Sequence, residues 1–268
     1  MPEARMDLKY YMLDWDDNIL FMPTKIHLER DGQPVDVTTK DYAEIRKDPS
    51  YGFINGSADE AFAGFRDGTG DFVGDTEKAL EAKAYAPSFR AFKTALSEAR
   101  LFSIVTARGH AAKTIRAGVE RFIALVFTDE ERSQMLDQVQ HFNALAGLSV
   151  PRDECLSRYL DLNGYVGVSS PGFLAVFQGD EPGGDGSAAA SPEEAKTYVV
   201  REFVEHALEL AKNIPSASGR IAFGFSDDDR GNLAKMREFM ETELVGDYPG
   251  IAFFVYDTSG SKPDIEQL

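Results

Sequence analysis

The chain reads as an α/β protein: a doubly wound, mostly parallel sheet with a small insertion after its first strand. Three observations predict this. Short apolar runs recur, and each stops abruptly at polar or acidic residues, as buried parallel strands do at their functional ends. Helical patterns fill the intervals between the runs, giving the strand–helix alternation of such sheets. The length, 268 residues, suits one domain of this kind with an insertion, or two small domains.

The first run, residues 8–13, ends at Asp14 and opens the acidic stretch Asp14-Trp15-Asp16-Asp17-Asn18. Next come residues 25–29 and 35–38, which read as a hairpin turning at Asp31-Gly32. A short helical patch and a Gly/Asp-rich region at 64–74 complete the insertion, residues 21–85, which is placed to cap a crevice at the sheet. Residues 87–99 carry Phe89, Phe92 and Leu96 at helical spacing. The second run, 101–105, ends at Thr106, and a helical pattern follows over 110–127. Residues 179–190 form a Gly/Ala/Ser-rich loop of flexible composition. The helix over 191–212 begins Ser191-Pro192-Glu193-Glu194, a capping box with proline at the first helical position. The third run, 221–225, ends at Ser226 and the triplet Asp227-Asp228-Asp229, with a helix over 232–244. The fourth, 251–256, ends at Asp257. In open α/β sheets ligands bind beyond the carboxyl ends of the strands, so these polar endings converge on one crevice.

Composition narrows the partners. Apolar residues at 43% and charged residues at 27% give a sizeable core under an ordinary solvated surface. A net charge of −17 repels nucleic-acid backbones and anionic lipids, which argues against long nucleic acid and membranes as partners. A small anionic substrate then needs a locally positive pocket or a metal ion. Cys155 is the single cysteine, so no internal disulfide forms and a reducing, cytoplasmic setting is expected.

The carboxylates carry the chemistry. Asp14, Asp16 and Asp17 fall within four residues and repel one another unless a cation or a proton intervenes, and a hard divalent ion such as Mg²⁺ is the natural neutraliser. An EF-hand calcium loop is excluded at Asp14, because its sixth and twelfth positions hold Ile19 and Lys25. Thr106, at a strand-to-helix junction with the free N–H groups that follow it, suits a phosphate oxygen or a helix cap. Arg108 and His110 lie within reach of an anion there, or on the surface. Asp227 and Asp228 supply a second acidic cluster, while a helix N-terminus accounts for one aspartate of the triplet.

In this order the motifs resemble those of the haloacid dehalogenase-like hydrolase superfamily, over roughly residues 8–20, 101–110, 191–200 and 220–233. The family's first motif, an apolar strand followed by Asp-x-Asp, corresponds to Tyr11-Met12-Leu13-Asp14-Trp15-Asp16. Its strand-terminal Thr corresponds to Thr106, its lone lysine near a helix start to Lys196, and its acidic pair with a further Asn to Asp227-Asp228 and Asn232. Where the family commonly has Thr or Val two residues after the second aspartate, this chain has Asn18. The hairpin-bearing insertion is similar to that of phage-type members. The resemblance implies a catalytic core of residues 1–20 and 86–268 with a cap at 21–85. It also implies a phosphatase working through an aspartyl-phosphate on a small phosphorylated metabolite or nucleotide. Asp14 would be the nucleophile and Asp16 the acid and base. Mg²⁺ would sit on the Asp14 carboxylate, the Asp16 carbonyl and Asp228, with Asp227 close by. Thr106, Ala107 and Lys196 would hold phosphoryl oxygens, and the Trp15 indole would line the pocket or pack in the core. A phosphorylatable receiver domain, a metal-dependent nucleotide-sugar transferase and a catalytically inert binding protein of the same fold are the rival readings.

Overall fold

The computed structural model describes residues 7–145, 147–180, 191–212, 220–260 and 263–268. Of the loop expected at 179–190, residues 181–190 lie outside the described residues; 179 and 180 close the helix Pro171–Asp180.

Among the described residues nine strands form two sheets: β1 Leu8–Leu13, β2 Ile26–Arg30, β3 Gln33–Val37, β4 Tyr51–Phe53, β5 Phe102–Thr106, β6 Gly164–Gly167, β7 Ile221–Asp227, β8 Ile251–Asp257 and β9 Asp264–Gln267. The larger sheet has the order β6-β5-β1-β7-β8-β9 and is parallel except for β9. The four apolar runs are thus its four central strands. The chain leaves β1 towards β5 on one side and β7 on the other, which makes the end of β1 a switch point where a crevice opens.

Alternation along β1 explains the two layers of helices. Tyr11 and Leu13 face one apolar cluster with Phe102 and Ile104, covered by the helices Phe89–Ser97 and Ala112–Val126. Tyr10 and Met12 face the other with Phe223 and Phe225, covered by Pro192–Ala211 and Arg230–Phe239. The chain is therefore α/β with a mostly parallel six-stranded central sheet. No helix among the described residues is long and apolar enough to cross a membrane.

Strands β2, β3 and β4 make a small antiparallel sheet of their own. Asp31 and Gly32, with φ of 51° and 74°, close the two-residue hairpin in the left-handed conformation that such turns require. This sheet buries Ile26, Leu28, Val37, Ala61 and Phe65 in a separate apolar cluster. The helix Phe72–Glu81 belongs instead to the main core, where Phe72 lies so near Gly118 that a Cβ there would stand 2.3 Å from its ring.

Candidate functional site

Register brings the first and third acidic endings together. Leu13 lies level with Ser226, so Asp14 and Asp227 follow side by side, and the Asp14 N–H donates to the Ser226 carbonyl at 2.9 Å. Asn18 locks this arrangement. Its amide nitrogen donates to the carbonyls of Asp14 (3.0 Å) and Ser226 (3.1 Å), and its oxygen accepts from the hydroxyls of Ser226 (2.9 Å) and Thr258 (2.8 Å). One buried, neutral side chain thus ties together the ends of β1, β7 and β8.

Carboxylate oxygens of Asp14, Asp227 and Asp228 lie within 4.8 Å of one another. Asp227 is fully buried, and both its oxygens accept from the Asn232 amide at 3.2 and 3.0 Å. Asp229, third of the triplet, caps the helix Arg230–Phe239 through the Gly231 and Asn232 N–H groups. The helix-cap explanation thus holds for one aspartate and leaves the other two to the cluster.

Lys196 stands among these carboxylates. A lysine in this helix would ordinarily be solvated, but its side chain is 1% exposed, with the ammonium 2.7 Å from Asp227 and 3.5 Å from Asp14. Burial alone would lower its pKa, yet the charges of Asp14, Asp227 and Asp228 hold it above the ordinary lysine range. Burial pushes Asp14 up to about 8 against the pull of Lys196, with Asp227 and Asp16 adding to the rise. Burial, then Asp14 and Asp227, push Asp228 up to about 9. One ammonium therefore leaves this cluster short of positive charge. Oδ1 of Asp14 is buried and has no hydrogen-bond partner. A set of hard oxygens with an unmatched acceptor fits a small divalent cation such as Mg²⁺.

Asp16 turns away from that cluster. Arg108 grips it in a two-pronged ion pair, Nε to Oδ2 and Nη2 to Oδ1, each at 2.7 Å. The guanidinium also donates to Thr24 Oγ1 at 2.9 Å and lies 4.6 and 5.2 Å from the ring centres of Phe65 and Phe72. Arg108 and His110 are both buried, not surface residues. Neither ring nitrogen of His110 has a partner, and burial, then Arg108, push its pKa down to about 4, so it is neutral.

Thr106 does not cap the following helix, whose N-cap is Ala111. Its hydroxyl accepts from the Arg108 N–H at 3.3 Å and lies 3.5 Å from Asp16. The Trp15 indole packs in the core against Phe72, Phe92 and Phe122, fully buried, and does not line the cavity.

Above these residues lies a cavity of about 440 Å³. Asp14, Asp16, Asp228, Thr106, Ala107 and Lys196 line one side, and residues of the insertion, among them Ile26, Thr39, Tyr42, Arg46, Phe62 and Phe65, line the other. Three polar contacts tie the sides together: Arg46 to Asp229 at 3.1 Å, Thr39 to Asp17, and the Gly109 N–H to the Phe65 carbonyl at 2.9 Å. Motif reading reaches the first side only. It misses Arg46, Thr39 and Thr24, since a residue of the insertion carries no local sign of the strand end it will meet.

No family model, no curated protein and no solved structure matches the chain.

Proposed function

We propose that the chain is a Mg²⁺-dependent phosphomonoester hydrolase that works through an aspartyl-phosphate on Asp14. The observation that carries this reading is the convergence of Asp14, Asp227 and Asp228, oxygens within 4.8 Å, around a buried lysine at the end of the central strand. Lysine and three carboxylates at a strand end are suited to a transferring phosphoryl group, which needs positive charge around it and an oxygen nucleophile beneath it.

Asp14 attacks phosphorus, the bond to the leaving oxygen breaks, and the phosphoryl group passes to the Asp14 carboxylate. Asp16 gives the leaving oxygen its proton and later takes one from the water that hydrolyses the acyl phosphate, which restores Asp14 and releases phosphate. Arg108 holds the Asp16 carboxylate in one orientation for both steps. Lys196, Thr106 and the Ala107 backbone bind the non-bridging oxygens. Asp14, Asp227, Asp228 and the Asp16 carbonyl would hold Mg²⁺. When bound, the ion supplies the positive charge that keeps Asp14 ionised and tolerates an anionic substrate. Residues 26–66 act as the cap over this chemistry.

Hydrolysis of p-nitrophenyl phosphate, with and without Mg²⁺, tests the reading. Wild type is expected to be active only with the ion, and Asp14→Asn to lose about a thousandfold or more of that activity. Equal rates for the two proteins would remove Asp14 as nucleophile.

A further inference from the structure

The cavity has two unlike walls. The sheet-end wall presents Asp14, Asp16, Asp228, Thr106 and Lys196, all polar. The wall opposite presents Ile26, Tyr42, Ala43, Phe62 and Phe65. Tyr42, Phe62 and Phe65 pack edge to face in sequence, with ring centres 5.4 and 5.9 Å apart, so they form a continuous aromatic surface. The charged groups and the threonine on this wall each have a partner within the protein. Arg46 pairs with Asp229, Arg66 with Asp59, and the Thr39 hydroxyl bonds Asp17.

From these walls we propose the substrate class: a phosphomonoester whose leaving group is an aryl or arylmethyl ring, with the phosphate on the sheet-end wall and the ring against Tyr42, Phe62 and Phe65. This rests on the phosphoryl-transfer reading of the polar wall. A polyhydroxylated leaving group such as a sugar would lose water from its hydroxyls against Ile26, Ala43, Phe62 and Phe65, which offer them no hydrogen bond, and unpaired hydroxyls are strongly selected against. A flat apolar ring gives up little and gains contact with the Tyr42 and Phe62 rings and the edge of Phe65 that lines the cavity. At about 440 Å³ the cavity lies within the roughly 300–1,000 Å³ of small-molecule sites, room for one phosphate and a compact ring system.

Two measurements on the full chain with Mg²⁺ decide it. The first compares kcat/KM for benzyl and 1-naphthylmethyl phosphate, whose alcohol leaving groups match in acidity, with that for glycerol 3-phosphate and glucose 6-phosphate. The second compares the affinities of phenylphosphonate and 2-hydroxyethylphosphonate by calorimetry, which needs no turnover. An aryl preference of at least about tenfold is expected in both. Phe62→Asn should bring the preference towards unity. Because Phe62 also packs within the insertion, Ala43→Asn makes the wall polar at an exposed position and should lower the preference in the same direction. Equal hydrolysis of all four esters and equal phosphonate affinities would overturn the aryl site and leave the hydrolase standing. Selective binding of phenylphosphonate by a chain that hydrolyses nothing would keep the aryl site and sink the hydrolase. Failure to bind either phosphonate, together with no hydrolysis of any of the four esters, overturns both.

Discussion

Arg108 and Lys196 are both 1% exposed, and both meet aspartates at the ends of the same sheet, yet their surroundings differ. Arg108 is matched to one partner. Its planar fork covers both oxygens of Asp16, Thr24 takes a further N–H, and Phe65 and Phe72 lie close to the guanidinium. Lys196 is a point charge divided between Asp227 and Asp14, with Asp228 close by and one Asp14 oxygen unpaired. The arginine half is electrically closed and sets a geometry. The lysine half is left with excess negative charge, and that excess is what recommends it as the Mg²⁺ site proposed above.

The largest effect should come from removing either cation. Lys196→Met and Arg108→Met each break a buried pair and are expected to cost about 3–5 kcal/mol of stability in metal-free protein. They part company when Mg²⁺ is added. Denaturant titrations should show the ion returning some of the loss for Lys196→Met, where it stands in for the missing charge, and none for Arg108→Met. Equal recovery in both variants would break the distinction. Next in size is Arg108→Lys, which keeps the charge but not the fork. With Asp16 no longer held in one orientation, kcat for p-nitrophenyl phosphate should drop roughly 10- to 100-fold with KM little changed. A KM increase at constant kcat would instead make Arg108 a substrate ligand.

The lysine half also predicts a pH response. A carboxyl whose pKa is raised by folding binds its proton more tightly in the native state, so protonation favours the fold. That contribution is full below the ordinary value of 3.8 and is lost as pH climbs through about 8 for Asp14 and about 9 for Asp228. Metal-free protein should therefore melt at a lower temperature at pH 9 than at pH 7, by about 2–4 °C for each kcal/mol lost. Mg²⁺ should narrow the difference, and a melting curve indifferent to the ion at pH 9 would count against the cluster as its site. The smallest effect belongs to the contact between insertion and sheet. Arg46→Ala removes a half-exposed ion pair with Asp229 and should cost no more than about 1 kcal/mol, seen as a small shift in the denaturation midpoint.

Much of this arrangement was legible from the chain, for a specific physical reason. Asp14, Thr106, Asp227 and Asp228 each terminate or follow an apolar run, and a buried parallel strand is conspicuous because both its faces are apolar. The hairpin at Asp31-Gly32 was legible because few residues accept positive φ twice in succession. β6 and β9 were not. β6 is four residues with glycine at each end, and β9, Asp264–Gln267, is an exposed edge strand without an apolar face to betray it. Lys196 was legible only by its place in a family-like order, since its burial arises from where the helix Pro192–Ala211 crosses the sheet. The Arg108 fork was invisible, as its partner Asp16 lies 92 residues away in sequence. The aromatic wall was likewise hidden, because Tyr42, Phe62 and Phe65 read as ordinary core residues until the insertion is folded over Asp14.

Trp15 is the only tryptophan in the chain, and it sits one residue from the proposed nucleophile with its indole against Phe72, Phe92 and Phe122. The molecule therefore carries its own optical reporter in the core directly beneath the proposed site. Its emission arises from a single dry environment and should lie at short wavelength. Addition of Mg²⁺, of a phosphonate, or of denaturant can be followed from within the protein, with no label attached and no second fluorophore of its kind to subtract.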